Sequence, residues 1–250
     1  MTGESMGNKS LLNVKEIEII PNFKIHIPTV GQVLEHEDEY SNIVSLTTST
    51  PYQYMVFLDD LNIDFTTITN YQLFIILLNA YLKEGIDMSI VFGDLDFSTF
   101  HIYPNPENGT QVLYSKQHDL CIDELVYSIL SDTMLKINQR ERIFKHMGNE
   151  RAKQEAIKKA RRKIQNRLRR HKKEDENSQL EELIVALVNR KDFKYDYDET
   201  MNLSIYRFYK SVKQLQQNIT FDNTMLGVYT GNIDTSKLTD RNCLSWIAKN

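Results

Sequence analysis

From Tyr71 to Leu82 the chain reads YQLFIILLNAYL, apolar on nearly every face of a helix. A helix of that kind persists only when other elements cover it all round, so the rest of the fold must be arranged about this segment. Thr69 with Gln72 marks its start as a capping box, in which the threonine oxygen accepts a backbone N–H that the first turn leaves unpaired. The longest apolar run, Leu73–Leu78, ends at Asn79 and falls far short of the ~20 residues of a membrane span. No transmembrane segment is expected.

Around that helix the patterning is mixed. Val14–Ile20 and Phe23–Ile27 alternate apolar and polar residues, as strands do, with Pro21-Asn22 as the turn. Thr29 and Gln32 form a second capping box and start another helix. Ser89–Tyr103 and Thr110–Tyr114 read as strands joined through Asn108-Gly109, a pair suited to the positive φ of a tight hairpin. Ile122, Leu125, Val126, Ile129, Leu130, Met134 and Ile137 keep helical period, and that helix is expected to reach Met147, where Gly148-Asn149 weakens it. Ser178 with Glu181 is a further capping-box candidate before the stripe Leu180, Leu183, Ile184, Leu187, Val188. Met201, Ile205, Phe208, Tyr209, Val212 and Leu215 have helical spacing, and Gly231 stops the run through Tyr229.

The expected class is α+β and mainly helical: a small N-terminal hairpin and sheet with helices, a long basic helix and a C-terminal helical bundle. Three segments follow, an α+β domain over 1–147, a basic connector over 148–177 and a small helical domain over 178–250. At 250 residues, with 41% hydrophobic and 26% charged residues, the chain can bury a proper core.

Charge is divided sharply. Residues 151–173 hold twelve of the 30 Lys and Arg but one of the 34 Asp and Glu, so this arm is near +11 and the remainder near −15. Such asymmetry reports an interaction surface more often than a need of the fold. The arm's apolar positions Ala152, Ala156, Ala160, Ile164 and Leu168 fall every fourth residue. That stripe is too narrow for burial by the arm's own domain. Three roles are open to it: docking on an acidic neighbour, neutralising phosphates with release of counterions, or serving as a solvated linker. The candidates for an anionic partner are Lys158, Lys159, Arg161, Arg162, Lys163, Arg167, Arg169 and Arg170. The arm has no aromatic residue, so base stacking on it is not expected.

A second cluster is aromatic. Tyr195, Tyr197, Tyr206 and Tyr209, with the lone Trp246, are interface candidates, because such rings offer large area at low entropic cost. Core packing of a small bundle is the competing reading, and Trp246 and Tyr229 are expected to pack into that bundle.

Chemistry finds less support. Asp59-Asp60 with Asp64, Asp94 with Asp96, and Asp192, Asp196 and Asp198 cluster carboxylates that can bind a hard metal, but turn and cap roles suit Asp better there. The six His show no HxxxH spacing, and Cys121 and Cys243 have no CxxC partner. GxxxxGK[ST], GxGxxG and GxSxG are all missing. The expectation is therefore no catalytic residue, no metal and no cofactor. The cysteine usage fits a reducing compartment, and residues 1–13 carry no signal-peptide core.

Four segments carry a resemblance. Ile25–Leu34 (IHIPTVGQVL), Phe92–Phe97 (FGDLDF), Phe193–Tyr197 (FKYDY) and Gly227–Asp234 (GVYTGNID) resemble proteins from the structural gene modules of tailed bacteriophages, tail-assembly or baseplate-hub proteins in particular. The resemblance implies a virion morphogenesis protein, a structural component or an assembly chaperone, acting by contact with other virion proteins in the host cytoplasm or the virion. The alternatives are a nucleic-acid-binding protein using the arm 151–173, and an enzyme of unknown class.

Overall fold

In the computed structural model, which describes residues 10–105, 109–171 and 178–248, the chain opens on an antiparallel hairpin of β1 (Glu16–Ile20) and β2 (Phe23–His26). Ile17 faces Ile25 across the ladder, and Asn22 turns the chain at φ 67°. Ile17, Ile19, Phe23 and Ile25 point inward, the alternation that the sequence shows.

Two helices follow, α1 (Val30–Glu35) and α2 (Glu37–Thr48). The expected capping box is present in full: Thr29 Oγ1 accepts from the Gln32 amide at 3.3 Å and Gln32 Oε1 accepts from the Thr29 amide at 2.9 Å. After α3 (Met55–Asp60), the central helix α4 (Asn70–Glu84) carries the same box at Thr69 and Gln72. Tyr71, Leu73, Phe74, Ile75, Leu77 and Leu78 are buried. Gln72, Asn79, Lys83 and Glu84 are the residues the helix exposes. Gly85 at φ 71° takes the left-handed position that ends this helix.

The expected strand over Ser89–Tyr103 is not there. Its first residues form a short helix α5 (Ser89–Phe92), a 3-10 turn follows at Phe97–Thr99, and only β3 (His101–Pro104) is extended. The physical reason is local. Gly93 bends the chain at φ 59°, and the Asp96 carboxylate accepts from the Ser98 amide at 2.8 Å, an arrangement that closes a turn and breaks a ladder. β4 (Gln111–Ser115) pairs with both β3 and β5 (Leu120–Ile122) in an antiparallel sheet of order β3-β4-β5. Tyr71 ties the central helix to this sheet by donating to the Ile122 carbonyl at 2.6 Å. Asn108 lies outside the described residues.

Helix α6 (Glu124–Ile137) stops ten residues before the expected end at Met147. No Gly or Pro announces the stop. The Asn138 amide donates to the Met134 carbonyl at 2.9 Å, its oxygen accepts from buried Tyr40 at 3.0 Å, and Gln139 turns at φ 51°. The remaining helices are α7 (Glu150–His171), α8 (Gln179–Val188), α9 (Tyr197–Asn202) and α10 (Ile205–Tyr229). The serine half of the cap before α8 is made, Ser178 Oγ accepting from the Glu181 amide at 3.0 Å.

The chain is thus α+β and mainly helical, as its patterning predicts. Residues from all three expected segments share one apolar cluster: Ile25, Phe74 and Leu130 from the first, Ile157 from the second, Ile184 and Phe208 from the third. Main-chain bonds reinforce it. The Val30 amide donates to the Leu203 carbonyl at 2.9 Å and the Ile205 amide to the Pro28 carbonyl at 2.8 Å, so the start of α1 is stitched to the junction of α9 and α10.

Candidate functional site

The basic helix α7 is built from strong helix formers, Ala, Lys, Arg, Gln and Glu. Asn149 caps its first turn by accepting from the Ala152 amide at 2.8 Å. Contrary to the expectation of a helix that its own domain cannot bury, the first half is seated on the body. Ile157 is 5% exposed and belongs to the core, with Ala156 and Ala160 packed beside it. Ile157 lies off the four-residue alanine stripe, which is why that stripe underestimates the anchoring.

Charge completes the seat. Lys153 Nζ lies 2.8 Å from Asp64 and 2.6 Å from Glu150, while one Arg161 nitrogen lies 2.8 Å from both Asp59 and Asp60 at the end of α3. Bonding to Lys153, then to the amide and hydroxyl of Thr66, holds the Asp64 carboxyl down to about 2. The bonds to Asp60 and Asp59 raise the Arg161 guanidinium further into its charged form. Asp59, Asp60 and Asp64 were noted in the sequence as a carboxylate cluster, and here they are the acidic neighbour of the arm. Arg161, one of the predicted anion-binding residues, is therefore already engaged.

The rest of α7 is different. Lys158, Lys159, Arg162, Lys163 and Arg169 are exposed and make no ion pair among the described residues. Arg167 is exposed as well. Arg170 lies on the helix with its side chain outside the described residues, as do Lys172 and Lys173 entirely. Ile164 and Leu168 are 48% and 61% exposed. At ~100° per residue, Lys153, Ile157, Arg161, Ile164 and Leu168 share one side of the helix. The seated face therefore continues beyond the body as an uncovered one.

The aromatic candidates separate in the same way. Tyr206 is buried and Tyr209, partly buried, packs against the core, so both belong to the bundle and offer little free surface. Burial raises the hydroxyl pKa of each above its ordinary value. Tyr195 and Tyr197 are exposed, Tyr195 meeting Phe193 edge-on at 5.5 Å and Tyr197 accepting from the Asn189 amide at 3.2 Å. The expectation that Trp246 and Tyr229 pack into the bundle is overturned, since they are 62% and 80% exposed. The tail is held by its backbone instead: Gln214 donates to the Trp246 carbonyl and Gln217 to those of Asn242 and Ser245. Gly227 lets the tail fold back closely, as a Cβ there would fall 2.5 Å from Ile233.

A cleft of about 850 Å³ opens between the hairpin, α1 and the start of α10, lined by Glu16, His26, Gln32, His36, Asp87 and Arg207 among others. His26 Nδ1 lies 3.2 Å from Glu16, and Arg207 donates to the Leu12 carbonyl and to Asn13. The sequence carried no sign of this cleft, because its walls come from segments almost two hundred residues apart. Among the described residues no three His, Cys, Asp or Glu side chains gather to hold a metal ion, and no helix is long and apolar enough to cross a membrane.

No curated protein and no solved structure matches the chain. Residues 171–249, which span α8, α9, α10 and the tail, match the family model described as the YomV second domain. YomV is a Bacillus phage-region protein, and the match supports a phage association for this chain.

Proposed function

We propose that the chain is a virion morphogenesis protein of a tailed phage, a tail or baseplate component or the chaperone of one, working by protein–protein contact in the host cytoplasm or the virion. The observation that carries this reading is α7. It is a helix anchored at Ile157 on which Ile164 and Leu168 are exposed and Lys158, Lys159, Arg162, Lys163 and Arg169 make no ion pair among the described residues. An anchored helix with an uncovered face suits docking. The phage association of the C-terminal part agrees. The reading assigns no reaction to the chain and expects neither hydrolase nor transferase activity.

Nucleic-acid binding is the second reading, favoured by Lys158, Lys159, Arg162 and Lys163, which are exposed without carboxylate partners among the described residues. Phosphates would use these cations but would leave Ile164 and Leu168 without a role, and the protein-contact reading accounts for both. Cells infected with phage lacking the chain test it. They should accumulate filled heads without finished tails, and infectious particles at the normal yield would overturn the reading.

A further inference from the structure

One side of α7 is covered over its first half and bare over its second. The covered half shows which chemistry this helix accepts. Apolar Ile157 sits in the core between two cations, Lys153 four positions before it and Arg161 four positions after, and the surface that receives them supplies carboxylates from Asp64, Asp59 and Asp60. Past Arg161 the same side continues with Ile164 and Leu168, while Arg162 and Arg169 lie toward one edge and Lys163 toward the other. The motif of an apolar centre with basic margins is repeated, and among the described residues no acidic, apolar surface covers it.

We infer that the bare side formed by Ile164 and Leu168 docks an amphipathic helix with acidic margins from another protein of the same assembly. Three observations choose this occupant. A second copy of α7 would bring like charges together along both margins, a repulsive arrangement. The acidic surface that suits α7 within this chain, Asp59, Asp60 and Asp64, is already held by its own α7. Duplex DNA has no apolar surface at the depth of the phosphates for Ile164 and Leu168 to cover. An acidic amphipathic helix satisfies both components, as helices docked through regularly spaced apolar anchors do elsewhere.

The inference rests on the protein-contact reading of α7 and names the partner's chemistry. It is tested on the full chain by fluorescence anisotropy with two synthetic peptides of about 20 residues, long enough to hold a helix. They share one Leu/Ile face but carry Glu or Lys along its margins. The Glu peptide should bind and the Lys peptide should not. Ile164→Ala with Leu168→Ala, which favours helix, should weaken binding about tenfold. Arg162→Gln with Lys163→Gln and Arg169→Gln should weaken it and flatten its salt dependence. Lys159→Gln, on the far side, should leave it within about twofold. Circular dichroism confirms the fold of each variant. Equal binding of the two peptides, or indifference to the Ile164 and Leu168 changes, overturns the inference. So does self-association of the chain that the alanine pair abolishes, since that gives the face to a second copy. Should the peptides fail while particle assembly still needs the cations of the arm, the occupant is wrong and the contact reading stands. If neither depends on the arm, both are wrong.

Discussion

Lys153 Nζ lies 2.8 Å from the Asp64 carboxylate, a bond that joins positions 89 apart in the chain and sets where the basic helix leaves the body. Its neighbour Arg161 bonds Asp59 and Asp60 two turns further along. Between them Ile157 enters the core. The arm is thus no free connector at its base.

Acid should loosen this seat in a defined window. The Asp64 carboxyl is lowered from 3.8 to about 2 by Lys153 and Thr66. A group depressed in the folded state contributes stability above its unfolded value and loses it as pH falls through the folded one. Amide protection over 150–161, taken relative to the intrinsic exchange rate at each pH, should therefore hold steady from neutral pH to about 4 and fall between about 4 and 2. Lys153→Met should flatten that step. Exchange that is already fast at pH 7 in the parent would show that the ion pair does not hold the helix.

Ile157 and Ile164 lie two turns apart on the same helix and should respond very unequally to truncation. Ile157→Ala removes a residue 5% exposed and should cost about 2–4 kcal/mol in denaturant unfolding. Ile164→Ala, at a half-exposed position, should change stability by less than about 0.5 kcal/mol.

Gly93 should resist substitution. It holds φ 59°, and a Cβ there would fall 2.7 Å from His26 Nε2. Gly93→Ala should cost about 1–3 kcal/mol through backbone strain, and it should displace the His26 ring from Glu16, visible as a shift of its imidazole resonances.

Trp246→Ala should be nearly silent, within about 0.5 kcal/mol, because the indole is 62% exposed and the tail is tied through main-chain carbonyls. A loss of several kcal/mol would place the ring in the core, against the structure.

Local chemistry was the legible part of this fold. The capping boxes at Thr29/Gln32 and Thr69/Gln72, the hairpin turn at Asn22 and the central helix all follow from residues a few positions apart. Asp196 with Glu199 forms a third box that starts α9, and its D-x-x-E pattern was there to be read. The stop of α6 was not, since it depends on Tyr40 bonding Asn138, 98 positions away. In Ser89–Tyr103 the alternating apolar residues imitate a strand, while Gly93 and Asp96 impose turns. The arm and the aspartates at 59, 60 and 64 stood out separately. Their pairing is tertiary, and periodicity carries no record of it. The same holds for Tyr206 and Tyr209, whose burial depends on elements supplied from the far end of the chain.

The most direct measurement of the central claim is assembly in infected cells with Lys158, Lys159, Arg162 and Lys163 replaced by Gln, Arg161 being left in place to keep the seat on Asp59 and Asp60. Glutamine retains helix propensity while removing charge. The account predicts a normally folded protein, with unchanged amide protection over 150–161, that fails to enter particles and lowers the yield of finished virions by at least about tenfold, as for loss of a specific charged contact. Incorporation and yield equal to the parent would contradict it, and would reduce the outer half of α7 to a solvated extension.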